Sequence, residues 1–164
     1  MGAAGGRLRF WDGSALLALA VREPASERVE PLLRRDPEMA FWWGAPLEWW
    51  GALLAAQRRE KISATDLQKA KEVLDHLRAR AFEVQPTEEL RARALRILSV
   101  HASAAHPLGA AEALELAAAL VWCRERTHGA GFVSLHPPLR LAAALEGFRV
   151  LPYADEVHAP DPEL

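Results

Sequence analysis

"FVSLHPPLRLAAALEGFRVLP", residues 132 to 152, decides the fold class of this chain. It begins with a short apolar run, turns at a histidine and two prolines, continues with helical periodicity and ends in a second short run, FRVL. A strand that is followed by a helix and then by another strand is typical of a parallel βαβ unit. The stretch therefore predicts an α/β protein, and it places His136 at the turn that follows a strand.

The same alternation extends over the rest of the chain. Five short segments bounded by Gly, Pro or Asp are strand candidates: RLRFW (7–11), EMAFWW (38–43), AFEV (81–84), GFVSL (131–135) and FRVL (148–151). Longer stretches with helical periodicity separate them, and Ser63 and Thr87 stand where a hydroxyl caps the first amides of a helix. We therefore predict a three-layer α/β/α sandwich around a five-stranded, mostly parallel sheet.

Length and composition limit the classes of protein to consider. The chain of 164 residues is long enough for one domain with its own core, and we predict a single domain over 1–152 and a Pro- and acid-rich tail over 153–164. The single cysteine, Cys123, excludes an internal disulfide and favours a reducing compartment. No apolar run reaches the ~18 residues of a membrane-spanning helix, so we expect a cytoplasmic protein without a membrane partner. The net charge of −2 draws in no polyanion, so nucleic acid would need a local basic patch.

Three carboxylates follow the predicted strands. Asp12 comes directly after the first strand, Glu48 begins the helix after the second, and Glu112 lies in the first turn of a helix that begins near Gly109. Ligands of an open parallel sheet bind beyond the carboxyl ends of its strands. Converging carboxylates repel one another unless a cation lies among them, and oxygen ligands suit Mg²⁺ or Mn²⁺. Each acid is also an ordinary residue for a helix start, where it caps amides or meets the positive end of the dipole.

Four segments, in order, resemble the sequence blocks of PIN-domain ribonucleases. FWDGSALLAL resembles their opening D-x-S-A-L, and WWGAPLEWWGALLAAQRRE resembles the second block with its central Glu. HPLGAAEALELAAAL is similar to the third, normally A-A-D-A-L-x-L-A. The stretch over residues 132–152 is similar to the last, normally hydroxyl-x-D-x-x-L … A … G. The blocks cover nearly the whole chain. The resemblance implies a PIN-like fold, with a five-stranded parallel sheet whose first strand is central.

The resemblance also implies a function and a set of site residues. PIN-domain ribonucleases use Mg²⁺ or Mn²⁺ to activate water for cleavage of RNA, and many bacterial members are VapC-like toxins of toxin-antitoxin pairs. Carried over by position, Asp12, Glu48 and Glu112 are the expected metal ligands, and Ser14 is expected to support the catalytic site. The third acid of the family is Asp, so Glu112 keeps the charge on a longer side chain.

The last block departs further from the family. Its acid is replaced by His136, and its hydroxyl residue is Ser134, which we take as an auxiliary site residue. His136 is a candidate metal ligand, a general base, or a residue of a disabled site, and imidazole favours Mn²⁺ over Mg²⁺. Glu115, one helical turn after Glu112, is either a second auxiliary carboxylate or an ordinary helix glutamate.

The tryptophans suggest a surface for a partner. Trp49 and Trp50 are adjacent on a predicted helix, so their side chains point about 100° apart and one of them is expected on a partner surface. The alternative is a helix that is buried over a wide arc. PIN-like toxins are commonly homodimers with an apolar groove for the antitoxin, and both partners are expected here by resemblance.

Three functions are compatible with these observations. The first is a metal-dependent ribonuclease that is the toxin of a toxin-antitoxin pair, and the retained charge of Glu112 favours it. The second is a catalytically impaired PIN-fold interaction module that keeps dimer or antitoxin binding, and His136 favours it. The third, a flavodoxin-like regulatory domain with an acidic pocket, is disfavoured because the order of the motifs matches another family.

Overall fold

The computed structural model describes residues 9–102 and 105–153, and within them five short strands form one sheet. The strands are β1 (Arg9–Trp11), β2 (Ala40–Trp42), β3 (Phe82–Val84), β4 (Gly131–Val133) and β5 (Arg149–Leu151). Every pair is parallel, and the order is β3-β2-β1-β4-β5. The predicted strands and the central position of the first are confirmed. A flavodoxin-like protein has the order 2-1-3-4-5, so that alternative is wrong.

Seven helices connect the strands within the described residues. They are α1 (Gly13–Ala20), α2 (Ser26–Arg35), α3 (Ala45–Arg58), α4 (Ala64–Arg80), α5 (Glu88–Val100), α6 (Ala110–Trp122) and α7 (Pro137–Leu145). None of them is long and apolar enough to cross a membrane. The predicted tail lies outside the described residues from residue 154 onward.

The sheet is buried on both faces, which confirms the three-layer prediction. Phe10 and Phe132 are neighbours across β1 and β4, and their rings stack 5.6 Å apart on the face covered by α5, α6 and α7. Trp11 and Val133, the next residues along these strands, belong to the core on the other face, which α1 to α4 cover. Apolar side chains on both sides of each strand are typical of a parallel sheet.

Polar residues at the helix starts agree with the capping predictions. Ser63 Oγ accepts a hydrogen bond of 3.1 Å from the amide of Asp66, and the Thr87 hydroxyl accepts one of 3.1 Å from the third residue of α5. Pro137 and Pro138 begin α7, where the first turn has no intrahelical use for their missing amides. The two prolines therefore fix the position at which His136 precedes the helix.

Candidate functional site

Asp12 lies at the carboxyl end of the central strand and is only 1 % exposed. Its Oδ1 accepts hydrogen bonds from the amide of Ala15 at 2.8 Å and from Ser14 Oγ at 2.7 Å. Its Oδ2 accepts a hydrogen bond from Ser134 Oγ, which follows β4. Burial raises the pKa of Asp12, although these hydrogen bonds and the charge of His136 oppose the shift. Asp12 therefore caps α1 and also joins the ends of two neighbouring strands.

The two serine hydroxyls connect Asp12 to the loop after β4. Ser14 Oγ accepts a hydrogen bond of 2.9 Å from the amide of Leu135, and Ser134 Oγ accepts one of 3.1 Å from the amide of His136. Ser134 is fully buried. Each hydroxyl donates to the Asp12 carboxylate and accepts from a loop amide, so the pair holds the carboxylate and the loop in register.

Glu115 is a buried member of the same group rather than a solvated helix residue. It is 4 % exposed, and its Oε1 accepts a hydrogen bond of 2.6 Å from the amide of Gly13, next to Asp12. Burial raises its pKa well above the usual range, and the charges of Asp12 and Glu48 raise it further. The sequence suggested Glu115 only as an auxiliary residue, whereas the structure brings it directly to the start of α1.

Glu48 approaches the same helix start from α3. Burial, followed by the charges of Glu112 and Asp12, raises its pKa to about 6. A Cβ at Gly13 would lie 3.2 Å from Glu115 Oε1 and 3.6 Å from Glu48 Oε2, so a glycine here lets both carboxylates come close. A cavity of about 210 Å³ opens at this point; its lining is Gly13, Ser14, Leu17, Glu48, Trp49 and Ala52.

Glu112 is half-buried in the first turn of α6 and turns back toward the start of its own helix. Its Oε2 lies 2.7 Å from the place that a Cβ at Gly109 would take. Its charge contributes to the raised pKa values of Glu48 and Glu115. Four carboxylates therefore influence one another at one edge of the sheet, and none of them is in an ion pair with a Lys or Arg of the described chain.

His136 lies beside this acidic group, at the N-cap of α7. Its side chain makes no capping bond, and Nδ1 is buried without a hydrogen-bond partner in the described chain. Its charge lowers the pKa of Asp12, in opposition to burial. The structure thus brings the five expected catalytic residues, three acids with Ser14 and His136, to one edge of the sheet.

Arg140 is a residue of this region that the sequence analysis missed. Its Nη1 donates to the carbonyl oxygens of Ser134 at 2.6 Å and of Leu151 at 2.9 Å, and its Nη2 donates to that of Pro152 at 2.7 Å. One guanidinium thereby joins the segments that follow β4 and β5. No sequence signal distinguishes Arg140 from a solvated helix arginine, because its acceptors are backbone atoms of other segments.

The carboxylates of this edge suit a divalent cation in their chemistry but not in their spacing. Carboxylate oxygens are the ligands that Mg²⁺ and Mn²⁺ prefer. Burial and neighbouring carboxylates raise the pKa values of Glu48 and Glu115, so a bound cation would favour their charged forms. The chemistry of the set therefore fits such an ion. In residues 9–102 and 105–153, however, no three His, Cys, Asp or Glu side chains are grouped closely enough to hold a metal ion. Asp12, Glu48 and Glu112 would have to move toward one another to bind one.

Of the two tryptophans, one of which was expected on a partner surface, Trp49 lies in the core and does not form that surface. Trp49 is 3 % exposed, and its ring meets the edge of Phe41 with centroids 5.2 Å apart in the core. Trp50 is 38 % exposed. Adjacent positions on a helix face different directions, so the core takes one ring and leaves the other at the surface.

Comparisons with known proteins agree on the fold alone. No protein-family model matches the chain, and no curated protein matches it in sequence. A solved structure that is similar is the crystal structure of PAE2754 from Pyrobaculum aerophilum, with a TM-score of 0.56 and 18 % sequence identity over 85 % of this chain and 87 % of that one. At this identity the likeness shows the architecture. The chain has an α/β fold of PIN-like type, with an all-parallel sheet.

Proposed function

We propose that this protein is a metal-dependent ribonuclease of PIN-like type, the toxin component of a toxin-antitoxin pair. One observation supports the proposal above the others. Asp12, Glu48, Glu112 and Glu115 come together at the carboxyl edge of a parallel sheet, neighbouring carboxylates raise the pKa values of Glu48 and Glu115, and none of the four is in an ion pair with a Lys or Arg of the described chain. Such a group is stabilised by a divalent cation, and this edge of the sheet is where α/β proteins bind ligands.

Asp12, Glu48 and Glu112 are the residues that would hold the ion. A bound Mg²⁺ or Mn²⁺ would supply activated water and stabilise the charge that develops on the phosphodiester. Ser14 and Ser134 keep the Asp12 carboxylate oriented through their hydrogen bonds. The imidazole of His136 takes the place of a carboxylate, so Mn²⁺ is the favoured ion and Mg²⁺ the weaker one.

Cleavage of a labelled single-stranded RNA in Mn²⁺ and in Mg²⁺ tests the proposal. We expect little cleavage in Mg²⁺ and more in Mn²⁺, because an imidazole nitrogen suits Mn²⁺ better than Mg²⁺. The double variant with Glu112→Asp and His136→Asp restores the acids of the resembled family, and it should cleave more strongly in Mg²⁺.

The matched control in that double variant is Asp12→Asn. Asparagine also caps a helix well, so α1 is retained while one negative charge is lost and the activity gained by the double variant should disappear. Circular dichroism checks that each variant is folded. The proposal fails if purified, folded wild-type protein and the double variant leave RNA intact in both ions.

The second candidate is a catalytically impaired interaction module that forms a homodimer. The specific observation for it is an exposed apolar surface on and beside α3, formed by Trp43, Leu47 and Trp50. This surface borders a cleft of about 280 Å³ whose rim includes Lys71 and Asp75, which pair at 2.6 Å. A rim with both signs of charge is compatible with a two-fold pairing in which the cation of one copy meets the anion of the other.

Sedimentation of the wild-type protein tests this candidate. A specific dimer should bury at least ~1,000 Å², and Trp50→Ser should shift it toward monomer. Leu145→Ser, an equally drastic change on the exposed side of α7, should leave association unchanged. A wild-type protein that stays monomeric at micromolar concentration contradicts the homodimer. An antitoxin partner is a further part of the proposal, supported by the resemblance alone.

A further inference from the structure

A row of side chains crosses the amino end of the sheet on the face that α6 covers. Phe10 is paired in register with Ala40, and Ala40 with Phe82, so these three side chains lie side by side on β1, β2 and β3. The outer two are aromatic rings, whereas the middle one is a methyl group. Ala40, Phe82 and Trp122 are among the residues that line a cavity of about 350 Å³. The small residue in the row therefore leaves a space bordered by aromatic rings.

Two aromatic side chains form walls of this cavity. Phe82 is 62 % exposed, although every residue of β1, β2 and β4 is buried. Trp122, the last residue of α6, is half-buried, and its ring centroid lies 6.2 Å from that of Phe10, so the core holds this ring in place. Exposed aromatic faces are platforms on which flat rings such as nucleobases stack. The cavity therefore offers one ring held by the core and one ring that faces solvent.

Opposite charges line the same cavity. Glu38 precedes β2 and Arg80 ends α4, and both residues are exposed. Within residues 9–102 and 105–153 neither is in an ion pair, so each is available to a ligand. Arg9 also lines the cavity, but its Nη1 donates to the carbonyl oxygen of Leu32. Arg80 is therefore the cation that a ligand can recruit, and its planar fork matches the oxygens of a phosphate group.

We propose that this cavity binds a nucleotide, with its base packed against Phe82 and Trp122 over Ala40 and its phosphate on Arg80. The volume lies at the lower end of the ~300–1,000 Å³ that small-molecule pockets span, which suits a single nucleotide. The carboxylate of Glu38 accepts hydrogen bonds from N–H groups of the base, and it disfavours ligands with many negative charges, so a monophosphate is preferred to a triphosphate. The cavity lies at the amino ends of the strands, opposite the acidic edge, so it goes beyond the proposed ribonuclease and does not depend on it.

Isothermal titration calorimetry of the whole protein in EDTA, with adenosine monophosphate, adenosine and ribose 5-phosphate as probes, tests the two halves of the site. Phe82→Ser should weaken binding of the monophosphate and of adenosine about tenfold, as expected for the loss of one base–aromatic stack. Arg80→Gln should weaken binding of the monophosphate about fivefold and leave adenosine unchanged, as for an exposed charge pair. The matched controls are Leu95→Ser, an exposed apolar residue of α5, and Arg58→Gln, an arginine that ends α3 as Arg80 ends α4. Circular dichroism checks that each variant is folded.

The nucleotide is either a free molecule or one residue of an RNA chain, because both present the same base and phosphate. A single-stranded RNA that displaces adenosine monophosphate, and that binds more weakly to Phe82→Ser, assigns the cavity to a chain. If RNA leaves the bound monophosphate in place, the cavity binds free nucleotides. The proposal is overturned if the monophosphate does not bind at millimolar concentration or binds no more tightly than ribose 5-phosphate. It is equally overturned if Phe82→Ser and Arg80→Gln bind the monophosphate as tightly as their controls.

Discussion

Replacing Glu48 by glutamine should change how the stability of the protein depends on pH. Burial and two neighbouring carboxylates raise the pKa of Glu48 from 4.5 to about 6 in the folded state. Each pKa unit corresponds to about 1.4 kcal/mol, so the shift represents about 2 kcal/mol. Because the side chain is half-buried, solvent screening reduces this to about 1 kcal/mol.

The direction of the effect follows from which state binds the proton more tightly. A carboxyl whose pKa is raised by folding stabilises the folded state below its unfolded pKa, and that contribution is lost as the pH rises through the folded value. Because of Glu48, the free energy of unfolding should therefore fall by about 1 kcal/mol as the pH rises from 4.5 to 7. The raised pKa values of Asp12 and Glu115 act in the same direction. Glu48→Gln lacks the Glu48 contribution, so its stability should fall less over this range.

Urea denaturation at several pH values between 4.5 and 7, in EDTA, measures this difference. The control is Glu72→Gln, which changes an exposed glutamate of α4 and should follow the wild-type protein. The reasoning would be refuted if the free energies of unfolding of the wild-type protein and of Glu48→Gln showed the same dependence on pH. Added Mn²⁺ extends the test, because an ion that binds only the folded state stabilises it in proportion to the logarithm of its concentration. That gain should be smaller in Glu48→Gln.

Three further predictions concern stability. In thermal melts, Gly13→Ala should leave the stability unchanged or lower it by about 1 kcal/mol, because the new Cβ would lie 3.2 Å from a carboxylate oxygen. Gly51→Ala in α3 has open space around it and should raise the stability by about 0.5–1 kcal/mol. Arg140→Met should lower the free energy of unfolding in urea denaturation by at least ~2 kcal/mol, because three backbone carbonyls lose a charged donor. A smaller loss in Arg140→Lys would show that a cation at this place is enough to stabilise the three carbonyls. Trp49→Ala should lower the free energy of unfolding by about 3–5 kcal/mol, because its ring is in the core. Trp50→Ala in the same assay should lower it by less than about 1 kcal/mol, because its ring is at the surface. Equal losses would contradict the assignment of the two rings.

The fold was predictable because its signals are local. Each strand is an apolar run that ends at a turn residue, and each helix has its own periodicity, so the alternation appears without knowledge of contacts. The exact ends were less predictable. GFVSL was expected to be extended through residue 135, but β4 ends at Val133, because the amide of Leu135 donates to Ser14 Oγ instead of to a neighbouring strand.

The candidate site was predictable only where topology determines it. Parallel strands end at one edge, so Asp12 and Glu48, which follow β1 and β2, meet there. Glu112 follows α5 and not a strand, so its place at this edge depends on how α6 packs. The burial of Glu115 and the carbonyl contacts of Arg140 depend on how helices pack against other segments, and nothing near either residue in sequence encodes that packing. The same holds for Trp49 and Trp50, where the pattern indicated that one ring lies outside the core but did not say which.

The charges at this edge of the sheet bear on whether the histidine at position 136 indicates a disabled site. In the resembled family that position is acidic, so the replacement by itself removes one negative charge and argues for a disabled site. The structure adds Glu115, a fourth carboxylate that contacts the start of α1 and is more deeply buried than Glu48. Four carboxyl groups therefore lie at the edge with His136 in place, and Glu115, whose pKa burial raises, supplies the replacing negative charge where a bound cation favours its ionised form. What has changed is the arrangement of that charge, from the end of β4 to the face of α6, so the arrangement of the donors rather than their number decides whether this edge binds a metal ion.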